Sequence, residues 1–254
     1  MIWRGKGEKM IISVKNEKVK AWKKLHRRKE RIKTNTFLIE GDHLLNEAYA
    51  SGWEIKEIIA LNNAERPEWT EQFNITWVSE EVLKEISQTI TPQGMAAVIE
   101  MKDDIKPKGD RFLLVDAIQD PGNLGTIIRT ADAAGFDGVM IGEGTVDLYN
   151  DKVIRATQGS LFHLPVVQTD LNKEIMALKE KNVVIWATAL EGAVNYKEVP
   201  IPEKVAIIVG NEGAGVQSEL LQKADEKVKI PIYGKAESLN VAIAAGVFMY
   251  YVKG

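Results

Sequence analysis

The second half of the chain repeats one pattern: a short apolar run, a turn rich in small residues, and an amphipathic stretch. The apolar runs, which predict strands, lie at residues 112–117, 138–141, 183–187, 205–209 and 227–230. The amphipathic stretches, which predict helices, lie at residues 123–134, 151–158, 171–181, 218–223 and 239–251. Strands that alternate with helices in this way are typical of an α/β fold with a parallel sheet covered on both faces.

The first hundred residues predict a smaller α/β unit. Strands are expected at residues 36–40, 55–61, 75–78 and 95–101, and helices at residues 15–33, 42–51 and 79–87. A polar stretch with Pro and Gly, KDDIKPKGD, then separates the two halves and predicts a linker. We therefore divide the chain into an N-terminal domain (1–101), a linker (102–110) and a C-terminal domain (111–254).

The predicted helix at 15–33 is strongly basic. Residues 1–33 hold 13 Lys and Arg against 3 Asp and Glu, a net charge of +10, although the whole chain carries −3. Val19, Trp22 and Leu25 form its apolar stripe. Such a cluster can attract the phosphates of RNA, or it can be a solvated helix face. Charge alone weights the two interpretations equally.

The composition limits the classes of function. The chain has 254 residues, 45% of them hydrophobic, and no uninterrupted apolar run long enough to span a bilayer. It has no Cys, so thiolate metal sites and Cys nucleophiles are excluded, and its three His are far apart in sequence. No signal peptide is evident at the N-terminus. We expect a cytoplasmic protein without a metal centre or membrane contact.

Three segments at turns carry the candidate chemistry. The first, DPGNLGTIIRTADAAG at 120–135, has Asn123 in position to cap a helix and Arg129 opposite that helix's apolar stripe. The second, IVGNEGAG at 208–215, follows a buried strand and contains Glu212. The third, SLNVAIAAG at 238–246, has Ser238 and Asn240 before an Ala-rich helix. In open α/β sheets, ligands bind outside the carboxyl ends of the strands, where these turns lie.

Each of these residues also has a plain structural interpretation. Spacing alone favours a helix cap for Asn123 and a solvated charge for Arg129. Glu212 can accept hydrogen bonds from a helix N-terminus, or it can orient Arg129 or a substrate. Ser238 and Asn240 can cap the last helix or bind a ribose hydroxyl or phosphate.

Together and in this order, the three segments resemble the signature motifs of the SpoU (TrmH-like) RNA 2′-O-ribose methyltransferases. The likeness covers about residues 112–252, and FLIEG at 37–41 resembles the substrate-binding domain of the family, which has a ribosomal-protein-like α/β fold. The resemblance implies a C-terminal SPOUT domain with a trefoil knot, a homodimer, and S-adenosylmethionine as cofactor. It also implies that Gly210, Ile230 and Leu239 line the cofactor pocket, with residues 188–190 nearby.

By the same resemblance, Arg129 is the central catalytic residue, and its supporting residues are Asn123, Glu212, Ser238 and Asn240. The reaction implied is attack of a ribose 2′-hydroxyl on the methyl sulfonium of the cofactor. Free Arg stays protonated, which makes it a poor base. We therefore expect Arg129 to act by positioning and electrostatics, with an RNA phosphate or Glu212 as the proton route.

The two-domain layout favours ribosomal RNA as the substrate, bound through the basic N-terminal region and the dimer cleft. The alternatives are a tRNA 2′-O-methyltransferase and a non-catalytic RNA- or ribosome-binding protein that retains the fold. A Rossmann-type oxidoreductase is disfavoured because no GxGxxG motif follows a first strand.

Overall fold

The computed structural model of the chain describes residues 2–4, 8–102 and 106–254, so residues 103–105 of the predicted linker lie outside the described residues. The described residues form two compact units. The first unit contains the described residues up to Lys102 together with Tyr149–Phe162, and the second unit contains the remainder. Tyr149–Phe162 thus belongs by its contacts to the first unit, although it lies within the predicted C-terminal domain. The functional domain boundaries remain a prediction.

The strands of the described residues, in chain order, are β1 (Ile2–Arg4), β2 (Glu8–Met10), β3 (Thr36–Glu40), β4 (Ile55–Leu61), β5 (Ile75–Val78), β6 (Met95–Glu100), β7 (Arg111–Val115), β8 (Gly138–Ile141), β9 (Val166–Gln168), β10 (Val184–Thr188), β11 (Val194–Asn195), β12 (Val205–Val209) and β13 (Glu226–Lys229).

The α-helices of the described residues are α1 (Glu17–Lys24), α2 (Arg28–Thr34), α3 (Asp42–Ala50), α4 (Glu80–Ile86), α5 (Pro121–Ala133), α6 (Asp151–Thr157), α7 (Ser160–His163), α8 (Leu171–Glu180), α9 (Ser218–Lys223) and α10 (Val241–Lys253). Two short 3₁₀ helices lie at Glu68–Gln72 and Tyr196–Glu198. No helix in the described part of the chain has the length and apolar character needed to cross a bilayer.

The second unit is built on a seven-stranded sheet with the order β11-β13-β10-β12-β7-β8-β9. Every strand pair in it is parallel, as the alternating pattern predicts. The carboxyl ends of β13, β10, β12 and β7 therefore lie side by side at one edge. A trefoil knot is defined by how the connections thread through one another, and strand order does not describe this threading. The predicted knot therefore remains a prediction.

Both faces of this sheet are covered, because alternate side chains of each strand point to opposite sides. On one face, Phe112 and Ile208 pack with Ile175 of α8 and Leu220 of α9. On the other face, Trp186 of β10 lies with its ring centroid 6.5 Å from that of Tyr251 in α10. Helix α10 in turn packs against α5. The helices that carry the first and third motifs are thus neighbours.

The first unit contains a four-stranded sheet with the order β3-β6-β4-β5 and a separate antiparallel pair, β1 and β2. The predicted strands and helices between residues 36 and 101 are present within one or two residues of their expected bounds. The prediction missed β1 and β2, because strands of three residues carry too little periodicity to be recognised.

The single helix predicted at 15–33 is wrong, because the structure contains α1 and α2 with a break between them. Arg27 has an extended backbone. At the break, the guanidinium of buried Arg31 donates a hydrogen bond of 2.7 Å to the Leu25 carbonyl. The His26 ring forms a hydrogen bond of 2.9 Å with the Ile86 carbonyl. The Val19, Trp22 and Leu25 stripe is buried, as predicted.

Candidate functional site

The first motif begins at the end of β7 and forms the start of α5. The prediction that Asn123 caps this helix is wrong: the cap is Asp120, whose Oδ1 accepts a hydrogen bond of 2.8 Å from the backbone N–H of Asn123. Pro121 occupies the first turn, where its missing N–H is not needed. Because Asp120 performs the capping, the side-chain amide of Asn123 is available for other contacts.

The Asn123 side chain joins the three motifs. Its Nδ2 donates to Glu212 Oε1 at 2.9 Å, and its Oδ1 accepts a hydrogen bond from Asn240 Nδ2, also at 2.9 Å. Asn240 also caps α10, because its Oδ1 accepts from the backbone N–H groups of Ala242 and Ile243. The structure therefore brings together three of the five residues that the resemblance predicted as catalytic. We call these three side chains the amide–carboxylate bridge.

Glu212 is an ionised and well-solvated acceptor within this bridge. Its carboxylate accepts from Asn123 and from the backbone N–H groups of Gln119 at 3.4 Å and Asp120 at 3.3 Å. Partial desolvation raises its pKa, but these hydrogen bonds outweigh that effect, so the pKa of Glu212 lies below its ordinary value. A carboxylate with a lowered pKa is a weaker base.

The turn of the second motif is organised by Asn211, which the sequence reasoning did not select. Its Oδ1 accepts from the backbone N–H groups of Gly213 and Ala214, and its Nδ2 donates to the Ala117 carbonyl at 2.9 Å. The backbone groups of Asn211 and Gly215 also pair with each other. The signal in the sequence was an Asn two residues before a Gly, which is typical of a side-chain-closed turn.

Arg129 lies on the exposed side of α5, whereas Leu124, Ile127, Ile128 and Ala131 are buried. This is the orientation that the helical wheel predicts. Its guanidinium forms no hydrogen bond or ion pair with another described residue. Six residues separate it from Asn123, which is about 9 Å along a helix axis. The charge is thus carried on an α-helix and has no partner among the described residues.

Ser238 is not brought into the amide–carboxylate bridge. It lies in the exposed segment between β13 and α10, and it forms no hydrogen bond with another described residue. Leu239, beside it, is 39% exposed although it is apolar.

Two of the three residues that the resemblance assigned to the cofactor follow strands on either side of β10, and the third lies just before α10. Gly210 follows β12, Ile230 follows β13, and Leu239 precedes the cap of α10. The backbone N–H and C=O groups of buried Gly210 and of exposed Leu239 form no hydrogen bond with another described residue. Free backbone groups beside an exposed apolar side chain fit a nucleoside ligand, which needs both hydrogen bonds and apolar contact.

Within the residues that the structure describes, no group of three or more His, Asp or Glu side chains is arranged to hold a metal ion. The polar groups at the site are instead amides, one carboxylate and one guanidinium, which bind and orient ligands by hydrogen bonding.

Solved structures share this fold over almost the whole chain. An rRNA methyltransferase from Sinorhizobium meliloti superposes with a TM-score of 0.87 at 33% identity, covering 96% of this chain and 97% of that one. The SpoU methyltransferase AviRb from Streptomyces viridochromogenes, in complex with AdoMet, superposes with a TM-score of 0.84 at 28% identity, covering 94% and 97%. The fold and site thus define an RNA methyltransferase.

The family follows from the sequence comparisons. The model of the SpoU rRNA Methylase family matches residues 110–250, and that of the MRM3-like substrate binding domain matches residues 16–97. This chain belongs to the SpoU rRNA methylase family. Among its relatives is the 23S rRNA (guanosine(2553)-2'-O)-methyltransferase RlmP of Bacillus subtilis, 49% identical over 97% of this chain and 100% of the relative. A Synechocystis relative named as an uncharacterized tRNA/rRNA methyltransferase is 32% identical over 94% and 92%.

The geometry of the turn predicts that Ala substitution destabilises the protein much more at Gly210 than at Gly213. A Cβ at Gly210 would lie 2.2 Å from backbone atoms of Gly215 and Val216, whereas a Cβ at Gly213 would meet nothing closer than 3.7 Å. We expect Gly210→Ala to lower the free energy of unfolding by at least ~2 kcal/mol. The matched control, Gly213→Ala, should stay within about 0.5 kcal/mol of wild type. Urea titration followed by fluorescence measures both, and equal stabilities would contradict the packing described for Gly210.

Proposed function

We propose that this protein transfers a methyl group from S-adenosylmethionine to the 2′-hydroxyl of a guanosine in 23S ribosomal RNA. Family membership makes it a SAM-dependent RNA 2′-O-ribose methyltransferase. The choice of 23S rRNA and of guanosine rests on the similarity to the Bacillus subtilis enzyme, which extends over almost the whole of both chains. The observation that supports the chemistry best is the amide–carboxylate bridge at the start of α5, the helix that also carries Arg129.

The cofactor supplies an electrophilic methyl group on its sulfonium. The chain's own residues bind and orient the two reactants. In this proposal the cofactor is held by the backbone groups of Gly210 and Leu239, which form no hydrogen bond with another described residue, and by Ile230, which follows β13. Arg129 presents a planar fork that matches a phosphate or the edge of a ribose, and so it positions the nucleotide and stabilises charge that develops on the 2′-oxygen.

The bridge contributes positioning rather than proton transfer. Glu212 has a lowered pKa and its oxygens already accept hydrogen bonds from Asn123 and the 119–120 backbone. Because these oxygens already hold Asn123 and the 119–120 backbone, we assign Glu212 to positioning, and the 2′-hydroxyl proton to the other route, an RNA phosphate at the site. Asn123, Glu212 and Asn240 fix the start of α5 against the start of α10 and thereby fix Arg129. Ser238 is exposed and forms no hydrogen bond with a described residue, so in this proposal it binds substrate.

The alternative of a tRNA substrate has less support. Two findings favour rRNA. Residues 16–97 match a substrate binding domain, and a solved rRNA methyltransferase structure covers 96% of this chain. A solved structure named as a TrmH/SpoU tRNA modifying enzyme from A. aeolicus covers only 58% of this chain. A non-catalytic role is disfavoured by the retention of all five polar residues of the site. The proposed cytoplasmic location follows from the substrate.

We further propose that the protein is a homodimer that buries an apolar stripe on α10. Ile243 is 57% exposed and Tyr250 is 56% exposed, and they lie on one side of α10 because seven residues separate them by close to two turns. A stripe of this kind on a terminal helix can pack against its own copy around a two-fold axis. Arg129 lies on α5, which packs beside α10, so such a dimer would place the site close to the interface.

The first prediction of this function concerns Arg129. The change Arg129→Lys keeps the charge but removes the fork, so we expect kcat for methyl transfer to 23S rRNA to fall about 100-fold. Cofactor affinity, measured by calorimetry, should stay unchanged. The same exchange at Arg66, which lies outside the site, is the matched control and should leave kcat near wild type. Near wild-type turnover in Arg129→Lys would contradict the role proposed for Arg129.

The second prediction concerns the basic N-terminal region, of which residues 1 and 5–7 lie outside the described residues. The charges of Lys18 and Lys20 are compensated by Glu57 and Glu17, whereas Lys24 and Arg27 are exposed and form no ion pair with a described residue. We expect Lys24→Gln with Arg27→Gln to weaken RNA binding and to reduce the salt slope of log K by between about 1 and 2.

The matched control for this region is Lys18→Gln with Lys20→Gln, which removes the same charge from ion-paired positions on α1. Lys23, paired with Glu85, is excluded from both variants. Filter binding at several salt concentrations measures the slopes, and cofactor affinity should not change in either variant. Equal slopes in all three proteins would mean that the basic helices are only a solvated surface.

The third prediction concerns the dimer. Wild type should sediment at twice the chain mass of 28.3 kDa, and Ile243→Lys should sediment as a monomer because a buried, unpaired charge is costly. The control is Met176→Lys, an equally exposed apolar residue on α8, which should remain dimeric. A monomeric wild type at micromolar concentration would overturn this proposal.

A further inference from the structure

One loop of the first unit exposes an apolar side chain almost completely. Residues 87–94, SQTITPQG, connect α4 to β6, and Ile90 near the middle of this loop is 98% exposed. The loop carries no charged residue. Single exposed apolar residues are common on proteins, so Ile90 requires a further argument from how the loop is held.

The loop is built on a carboxylate rather than left free. Glu40, at the end of β3, accepts hydrogen bonds from Ser87 Oγ at 2.6 Å, from Thr89 Oγ1 at 3.0 Å and from the backbone N–H of Gln93 at 3.2 Å. Thr89 Oγ1 also lies within hydrogen-bonding distance of the Thr91 carbonyl. These contacts fix the loop on both sides of Ile90. Its β-branched side chain has few rotamers of its own, so the apolar tip is presented in a defined position.

The cationic break between α1 and α2 lies directly beside this loop. The His26 ring binds the carbonyl of Ile86, the last residue before the loop, at 2.9 Å. His26, Glu40, Ile86 and Gln88 also line a common cavity of about 30 Å³. Arg27, next in the chain, is exposed and unpaired among the described residues. The loop with the anchored apolar tip therefore begins at the residue that contacts His26, the neighbour of Arg27, within the region that matches a substrate binding domain.

We propose that residues 87–94 form an RNA-reading loop, in which Ile90 packs against the face of an unstacked nucleotide while Arg27 and its neighbours hold the adjacent phosphates. Proteins read single-stranded RNA by apolar contact with splayed bases, and apolar side chains inserted beside a base hold it out of its stack. The positive charge favours RNA over a protein partner as the occupant. This inference rests on the proposed function, because it names the part of the protein that contacts the same RNA.

The test compares three full-length variants for binding to an unmodified 23S rRNA transcript. We expect Ile90→Ala to raise the Kd for the transcript about tenfold, since most of the apolar contact is lost. The KM for RNA should rise in parallel, whereas kcat at saturating RNA and cofactor affinity should stay at the wild-type values. The salt slope should also stay unchanged, because no charge is removed. Ile90→Leu should restore much of the affinity, and Met176→Ala, equally a truncation of an exposed apolar residue, should have no effect.

The outcomes separate this inference from the proposed function. An unchanged Kd in Ile90→Ala, with methylation of the transcript by wild type intact, overturns the role of the loop and leaves the function standing. Absence of methyl transfer by wild type contradicts the function itself. A lower sedimenting mass for Ile90→Ala would instead identify the loop as a contact between copies of this chain and would overturn the inference.

Discussion

The geometry of the site depends on the side-chain amide of Asn123. An amide has a donor and an acceptor at opposite sides, and Asn123 uses the first on Glu212 and the second on Asn240. Neither Asp nor Leu, both similar in size, offers this combination. The three motifs are separated by up to 117 positions in sequence, and this one group links the turn after β12 to the starts of α5 and α10. In the proposed mechanism, Arg129 positions the nucleotide only because this link holds the start of α5 in place.

The sheet that carries the site was predictable because its strands are buried on both faces. Continuous apolar runs such as Val205–Val209 have no other common explanation, and the structure places them as parallel neighbours. The exposed orientation of Arg129 followed equally directly from helical periodicity. The residue that caps α5, by contrast, could not be predicted from helical periodicity. Both Asp120 and Asn123 are suitable caps, and the choice depends on where the chain leaves β7, which is a tertiary property.

The same limit explains the errors in the first unit. The sequence at 15–33 has an uninterrupted helical pattern, but the break at 25–27 is stabilised by contacts of His26 with Ile86 and of Arg31 with Leu25. No local pattern contains that information, because the hydrogen-bond partner of His26 lies 60 positions away. Likewise, Ser238 looked equivalent to Asn240 in sequence, and only the structure distinguishes a bridging side chain from an exposed one.

The segment Tyr149–Phe162 affects the order in which parts of the first unit can pack during synthesis. Phe37 and Trp53 of the first unit complete their packing only with Tyr149 and Phe162, and the Trp53 ring N–H donates to the Phe162 carbonyl at 3.1 Å. During synthesis, these partners emerge long after residue 102. The early part of the chain therefore leaves the ribosome before these aromatic partners are available. A cut at the linker would remove the Tyr149 and Phe162 rings from Phe37 and Trp53.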